Sequence, residues 1–188
     1  IEGLTFAGGY PPDGQFGGGA LLFGGQLTFR GCAFTNNQSY VYYQPGPYGG
    51  GIHADETRLE LEDCVFFANE ARNGYKAVNA GAGYGGAVSM RGGMARIRRT
   101  QFLGNRAWKS THVNSFSRGG ALYLLDGRHE VEDCLGAGNL VHGLGGFASV
   151  SGASVWMRNV TCAGNTTTGV HRTSGTVSVT NCIFWGNG

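Results

Sequence analysis

Gly85-Gly86-Ala87-Val88, followed 17 residues after Val88 by the last residue of Phe102-Leu103-Gly104-Asn105, is the stretch whose reading decides the fold. Aligned on that final Asn, further copies fall into register at Asn37, Asn69, Asn139, Asn165 and Asn187, with Gly9 at the same place in a partial first copy. Three residues before the Asn stand Phe34, Phe66, Phe102, Gly136, Cys162 and Phe184, preceded by Phe6. Five residues before it stand Cys32, Cys64, Thr100, Cys134, Val160 and Cys182.

Further upstream an apolar pair recurs at period two, as a strand with one buried face requires: Leu27/Phe29, Leu59/Leu61, Ala95/Ile97, Val155/Met157 and Val177/Val179. His129/Val131 is the weak copy. Between this pair and the Cys column the inward phase slips by one residue, which marks a corner, and the corner residues are polar, as in Glu62-Asp63, Arg98-Arg99 and Arg158-Asn159. A third short strand follows each Gly pair, with inward candidates Leu21, Ile52, Val88, Leu122, Ala148 and Val170.

The interval from that third-strand slot to the Asn is 17 residues in all copies but the Leu21 one, whereas the Asn-to-Asn spacing runs 32, 36, 34, 26 and 22. All length variation therefore lies between the Asn and the next Gly pair, on one face. Three short strands per repeat, apolar slots stacked in register and loops on one side predict an all-β chain: a parallel β-helix solenoid over 1–188, a single domain of about six complete rungs. At a strand spacing of about 4.8 Å such a rod is roughly 30 Å long.

Composition agrees. Thirty-six glycines and 14% charged residues suit a fold built on tight turns, and 41% hydrophobic residues at fixed offsets exclude a disordered chain. A net charge of +2 with interleaved signs gives no nucleic-acid footprint, and no apolar run is long enough for a transmembrane segment. The sequence starts at Ile1 without an initiator Met and reads as a processed or excised segment.

Gly119-Gly120-Ala121-Leu122, Phe66 with Asn69, and Asn181-Cys182-Ile183-Phe184-Trp185-Gly186-Asn187 resemble the repeats of the polymorphic membrane protein family and of cell-surface parallel β-helix proteins. The resemblance implies a right-handed coil, an extracellular or cell-surface location, and roles as structural surface protein or adhesin. The membrane-inserting barrel of that family is absent from this sequence.

The Asn column Asn37, Asn69, Asn105, Asn139, Asn165 and Asn187 predicts a buried amide ladder. Cys32, Cys64, Cys134 and Cys182 share one inward column and read as small buried hydrophobes, with Cys32–Cys64 as the sole obvious internal disulfide pair. No His shares that column, so neither a metal site nor a cofactor is expected. Corner charges alternate along the axis, Arg30, Glu62, Arg98, Glu132, Arg158 and then Asp63, Arg99, Asp133, and predict ion pairs on a solvated face. Asp63 and Asp133 lie about 10 Å apart, near the spacing of an inverting glycosidase, but Arg99 between them would keep both ionised, so no catalytic residue is assigned. His53 and His171 are expected to face outward. Of three sequons, Asn37 and Asn165 belong to the ladder, leaving Asn159 as the glycosylation candidate.

The loops carry Tyr40, Tyr42, Tyr43, Tyr48, Tyr75, Tyr84, Trp108 and Phe116, with His112 beside them, a contact face for a glycan or a surface protein. Neither end shows an atypical capping segment, which predicts either neighbouring rungs of a longer chain or end-to-end self-association. The expected function is a non-enzymatic structural rod of a surface appendage or filament. Its rivals are an adhesin or carbohydrate-binding module using the aromatic face, and a polysaccharide lyase or hydrolase.

Overall fold

The chirality of L-residues and the short apolar alternations leave this chain one economical solution, which is to stack copies so that each strand hydrogen-bonds to its equivalent in the next repeat. The computed structural model describes residues 1–12, 14–41, 46–73, 82–109 and 116–188, and every regular element among them is a β-strand. The strands form parallel sheets that take one strand from each successive copy in order, the arrangement of a parallel β-helix or solenoid.

The phenylalanine sheet has seven strands, Thr5–Ala7, Ala33–Thr35, Val65–Phe67, Gln101–Leu103, Leu135–Ala137, Thr161–Ala163 and Ile183–Trp185. Its register pairs Phe6, Phe34, Phe66, Phe102, Gly136, Cys162 and Phe184 in series, the column expected from the sequence. The charged sheet has six strands, Gln26–Arg30, Arg58–Glu62, Met94–Arg98, Arg128–Glu132, Ser154–Arg158 and Thr176–Thr180. A third sheet follows the Gly pairs, with strands Ala20–Phe23, Ile52–Asp55, Val88–Arg91, Leu122–Leu125, Ala148–Ser151 and Val170–Arg172.

Two expectations are corrected. Leu21 is not the inward residue of its strand: Ala20 pairs with Ile52 and Leu21 with His53, so Leu21 is 38% exposed while Ala20 and Leu22 pack on the core. Counted from Ala20, the interval to Asn37 is the same 17 residues found in the other copies. The repeat also holds more than three strands. Residues directly after the Asn form a four-stranded parallel sheet, Gln38–Val41, Glu70–Asn73, Arg106–Trp108 and Leu140–Val141, and Ser117–Arg118 pairs with Gly143–Leu144. Ser39, Ala71 and Ala107 on its inward side are small, and only Val41 and Val141 add larger buried apolar groups, so the alternation carries little hydrophobic contrast.

The Gly pair has two separate causes. Gly85 sits at φ 65°, the left-handed region that other residues adopt at a cost. Gly86 instead lies against the neighbouring backbone, where a Cβ would run into the Gly120 carbonyl and the Arg106 amide. Corners work similarly: Asp63, Arg99, Asp133, Asn159 and Asn181 all have positive φ, which Asp and Asn tolerate best.

Inside, Phe6, Phe34, Phe66 and Phe102 form a parallel ring stack with centroid separations of 4.6, 4.7 and 5.1 Å. The stack breaks at Gly136, whose missing side chain leaves room for Phe147, a fully buried ring at 5.8 Å and 63° to Phe102. Phe147 occupies the slot filled by Ala87 and Ala121 in the preceding copies. His129 takes an inward slot between Ala95 and Val155 and is fully buried. Its Nδ1 accepts from the Ala95 amide at 3.1 Å and its Nε2 meets the Asp126 carbonyl at 2.7 Å, so the ring is the neutral Nε2–H tautomer. Burial pushes its pKa down.

Candidate functional site

The Asn column forms the ladder expected from its spacing. Each Nδ2 donates forward to the next Oδ1, at 2.9 Å from Asn37 to Asn69 and from Asn69 to Asn105, and at 3.0 Å from Asn105 to Asn139. The series continues at 2.8 Å from Asn139 to Asn165 and from Asn165 to Asn187. The second Nδ2 hydrogen reaches back to a phenylalanine-sheet carbonyl, as from Asn105 to Phe66. Each Oδ1 also accepts the preceding backbone amide, as Asn105 does from Asn69 at 3.1 Å. Gly9 completes the series through its amide on Asn37 Oδ1. A turn whose polar backbone groups would otherwise lie unpaired in the core is thereby satisfied along the axis.

The five cysteines are free thiols. Cys32, Cys64, Cys134 and Cys182 each donate to the carbonyl two residues earlier, and Thr100 does the same with its hydroxyl. A small donor at this slot ties down the corner carbonyl in five copies, where Cys and Thr interchange, while Val160 fills the slot of the sixth by packing alone. Burial pushes the Cys134 and Cys162 thiols up to about 12, so both are neutral at physiological pH.

On the corners, Arg30 Nε lies 2.8 Å from Glu62, Arg98 Nε 2.9 Å from Glu132, and Arg158 Nη2 2.8 Å from Glu132. Arg99 grips Asp63 with two donors at 2.8 and 3.0 Å and also reaches Glu62. The Arg99 hydrogen bond holds the Asp63 carboxyl below its usual range. Asp133 is bound instead by Asn159 Nδ2 at 2.8 Å, so Arg99 does not bridge the two aspartates as expected from the sequence. Among the described residues no three His, Cys, Asp or Glu side chains gather as a metal site.

The aromatic loop face divides. Tyr48 stacks on Tyr84 at 4.9 Å, Tyr84 meets Tyr123 at 4.9 Å, and Phe16 closes edge-on at 5.0 Å from Tyr48. Beneath them His53 does point away from the core, as expected, but the loop rings bury it to 3% exposure and push its pKa down to about 4. His171 is half-buried on the same sheet. Tyr40 is half-buried and stacks on Tyr10, and Trp108 packs against His142 with Arg106 over its ring. Phe116 alone of the described set is well exposed, at 59%. Tyr42, Tyr43, Tyr75 and His112 lie outside the described residues. Among the described residues of this face, Tyr48 and Tyr84 are thus occupied in covering the third sheet.

Trp156 is a surface feature that the sequence columns did not single out. It stands outward on the charged sheet between inward Val155 and Met157, in register with Glu130, Arg96 and Glu60, and is 46% exposed. It lines a groove of about 400 Å³ with Arg96 and Arg128. The available signal was an aromatic residue at the outward phase of a strand whose equivalents are all polar.

Asn159 is exposed at its corner, whereas Asn37 and Asn165 are buried. No helix among the described residues is long and apolar enough to cross a membrane. Compared with protein-family models, curated proteins and solved structures, the chain matches none.

Proposed function

We propose that this chain is a right-handed parallel β-helix of about six complete rungs that serves as an extracellular structural rod, in a surface appendage or an end-to-end filament. The observation that carries this reading is that the ring stack, the amide ladder and the parallel sheets all repeat along one axis in the same register from copy to copy. An incoming rung, from another copy or from further chain, would continue the ring stack, the amide ladder and the sheets together. The resemblance to polymorphic membrane protein repeats supports a surface location, and the exposed Asn159 sequon suits a secreted protein. The rod role needs no catalytic group.

Sedimentation velocity across a concentration series, with electron microscopy of the same samples, tests the self-association arm. The expected result is particles that lengthen along one axis with concentration and shorten in Phe184→Lys, which sets a charge on the phenylalanine column. Particles of constant single-chain mass at every concentration would overturn it.

A further inference from the structure

We propose that the outward face of the charged sheet is a binding groove for an acidic polysaccharide, one carrying carboxylates on its pyranose rings. The proposal is independent of the rod's assembly.

Two features of the groove point to an anionic ligand. Its cationic residues are Arg96, Arg98, Arg128 and Arg158, against only Glu130 and Glu132. Glu132 is shared by Arg98 and Arg158, Glu130 lies 3.2 Å from Arg96, and Arg128 is exposed with no carboxylate in ion-pair range among the described residues. The Nε atoms of Arg96 and Arg98 are buried and face their glutamates, so it is Arg128, exposed and outside ion-pair range, that stands free for a ligand. Four guanidinium groups against two carboxylates leave the groove with two net positive charges, and the exposed Arg128 is open to a ligand. An Arg fork matches a carboxylate with two parallel hydrogen bonds.

The remaining features point to a sugar. Trp156 offers a large apolar ring face beside these guanidinium groups, and Met94 adds an exposed apolar flank. A pyranose ring has just such mixed character, with C–H faces to stack and carboxylate and hydroxyl edges to bind. In register, Arg98 and Arg158 stand two strands apart on either side of Glu132, about 10 Å, a step comparable with two rings of a linear glycan. A nucleic-acid strand, with its dense phosphate charge, would meet too few cations here and two repelling glutamates.

The test is titration of the chain with an oligogalacturonate, read by tryptophan fluorescence and calorimetry. The parallel arms use a neutral cello-oligosaccharide and a single-stranded oligodeoxynucleotide. Saturable oligogalacturonate binding is expected, weakening with salt, at least about tenfold tighter than the neutral glycan. Trp156→Ala and Arg128→Ala should each weaken it roughly tenfold or more, with unchanged circular dichroism, and Trp108→Ala should leave it unaltered. Absence of saturable binding, indifference to both groove substitutions, equal affinity for the neutral glycan, or tighter binding of the oligonucleotide would each overturn the proposal.

Discussion

Gly136 and Phe147 form an exchange whose energetics follow from the stacked columns. Phe147 is fully buried and fills the place where a Cβ on Gly136 would stand. Phe147→Ala removes a buried ring and leaves a cavity beside Gly136, at a cost of about 3–5 kcal/mol. Gly136→Phe alone forces two rings into one space, a loss of about 3 kcal/mol or more. Gly136 has no positive φ and lies in a strand, so its backbone accepts a side chain. With both substitutions together, the ring introduced by Gly136→Phe would continue the Phe66–Phe102 stack, and the methyl left by Phe147→Ala would match Ala87 and Ala121. That chain should lie within about 1.5 kcal/mol of the wild type, as volume-conserving swaps do. The coupling energy is then several kcal/mol and favourable, read from urea unfolding of the four chains by circular dichroism. A double variant as unstable as the two single losses combined would refute the shared-slot argument.

Other consequences are equally direct. Asn105→Ala leaves the Asn69 backbone amide, one Asn69 amide hydrogen and the Phe66 carbonyl without their partner, and should cost about 3 kcal/mol or more in the same unfolding assay. Gly86→Ala drives a Cβ into the Gly120 carbonyl and Arg106 amide, so its thermal midpoint should fall by several degrees, whereas Gly104→Ala, at positive φ in open space, should fall much less. His53, pushed down to about 4 by burial, stays neutral in the folded chain while the unfolded chain takes up a proton near pH 6.5. Stability is therefore full above pH 6.5 and is lost as pH falls towards 4, by about 3 kcal/mol, and His53→Gln should flatten that slope in a pH series of unfolding midpoints.

The columns were legible because each slot makes one physical demand that is repeated along the axis. Asn both donates and accepts in a buried turn, Phe fills the stacking slot in all copies but those of Gly136 and Cys162, and Cys or Thr reaches back to a corner carbonyl in all but that of Val160. The errors arose where the demand is weak or met from elsewhere. Leu21 looked inward because it is apolar, yet the constant interval to the Asn favours Ala20. The sheet after the Asn carries a faint signal because Ser39, Ala71 and Ala107 are small and its larger apolar contrast comes only from Val41 and Val141. Phe147 compensates for Gly136 across repeats, a relation that column-by-column reading does not reveal. The same holds for function: the loop tyrosines suggest a contact face from composition, but among the described residues Tyr48 and Tyr84 pack over His53 and Tyr123. Trp156, one residue in an otherwise polar column, gains meaning only beside the exposed, unpaired Arg128 and the excess of guanidinium groups around it.

Hydrogen exchange of the side-chain amides, followed by nuclear magnetic resonance on ¹⁵N-labelled protein, tests the inward ladder most directly. Asn69, Asn105, Asn139 and Asn165 each donate both Nδ2 hydrogens within the stack, so their amides should exchange far more slowly than that of exposed Asn36. Exchange of the Asn105 amide at the rate of an exposed asparagine would contradict the ladder and the stacked-repeat account built on it.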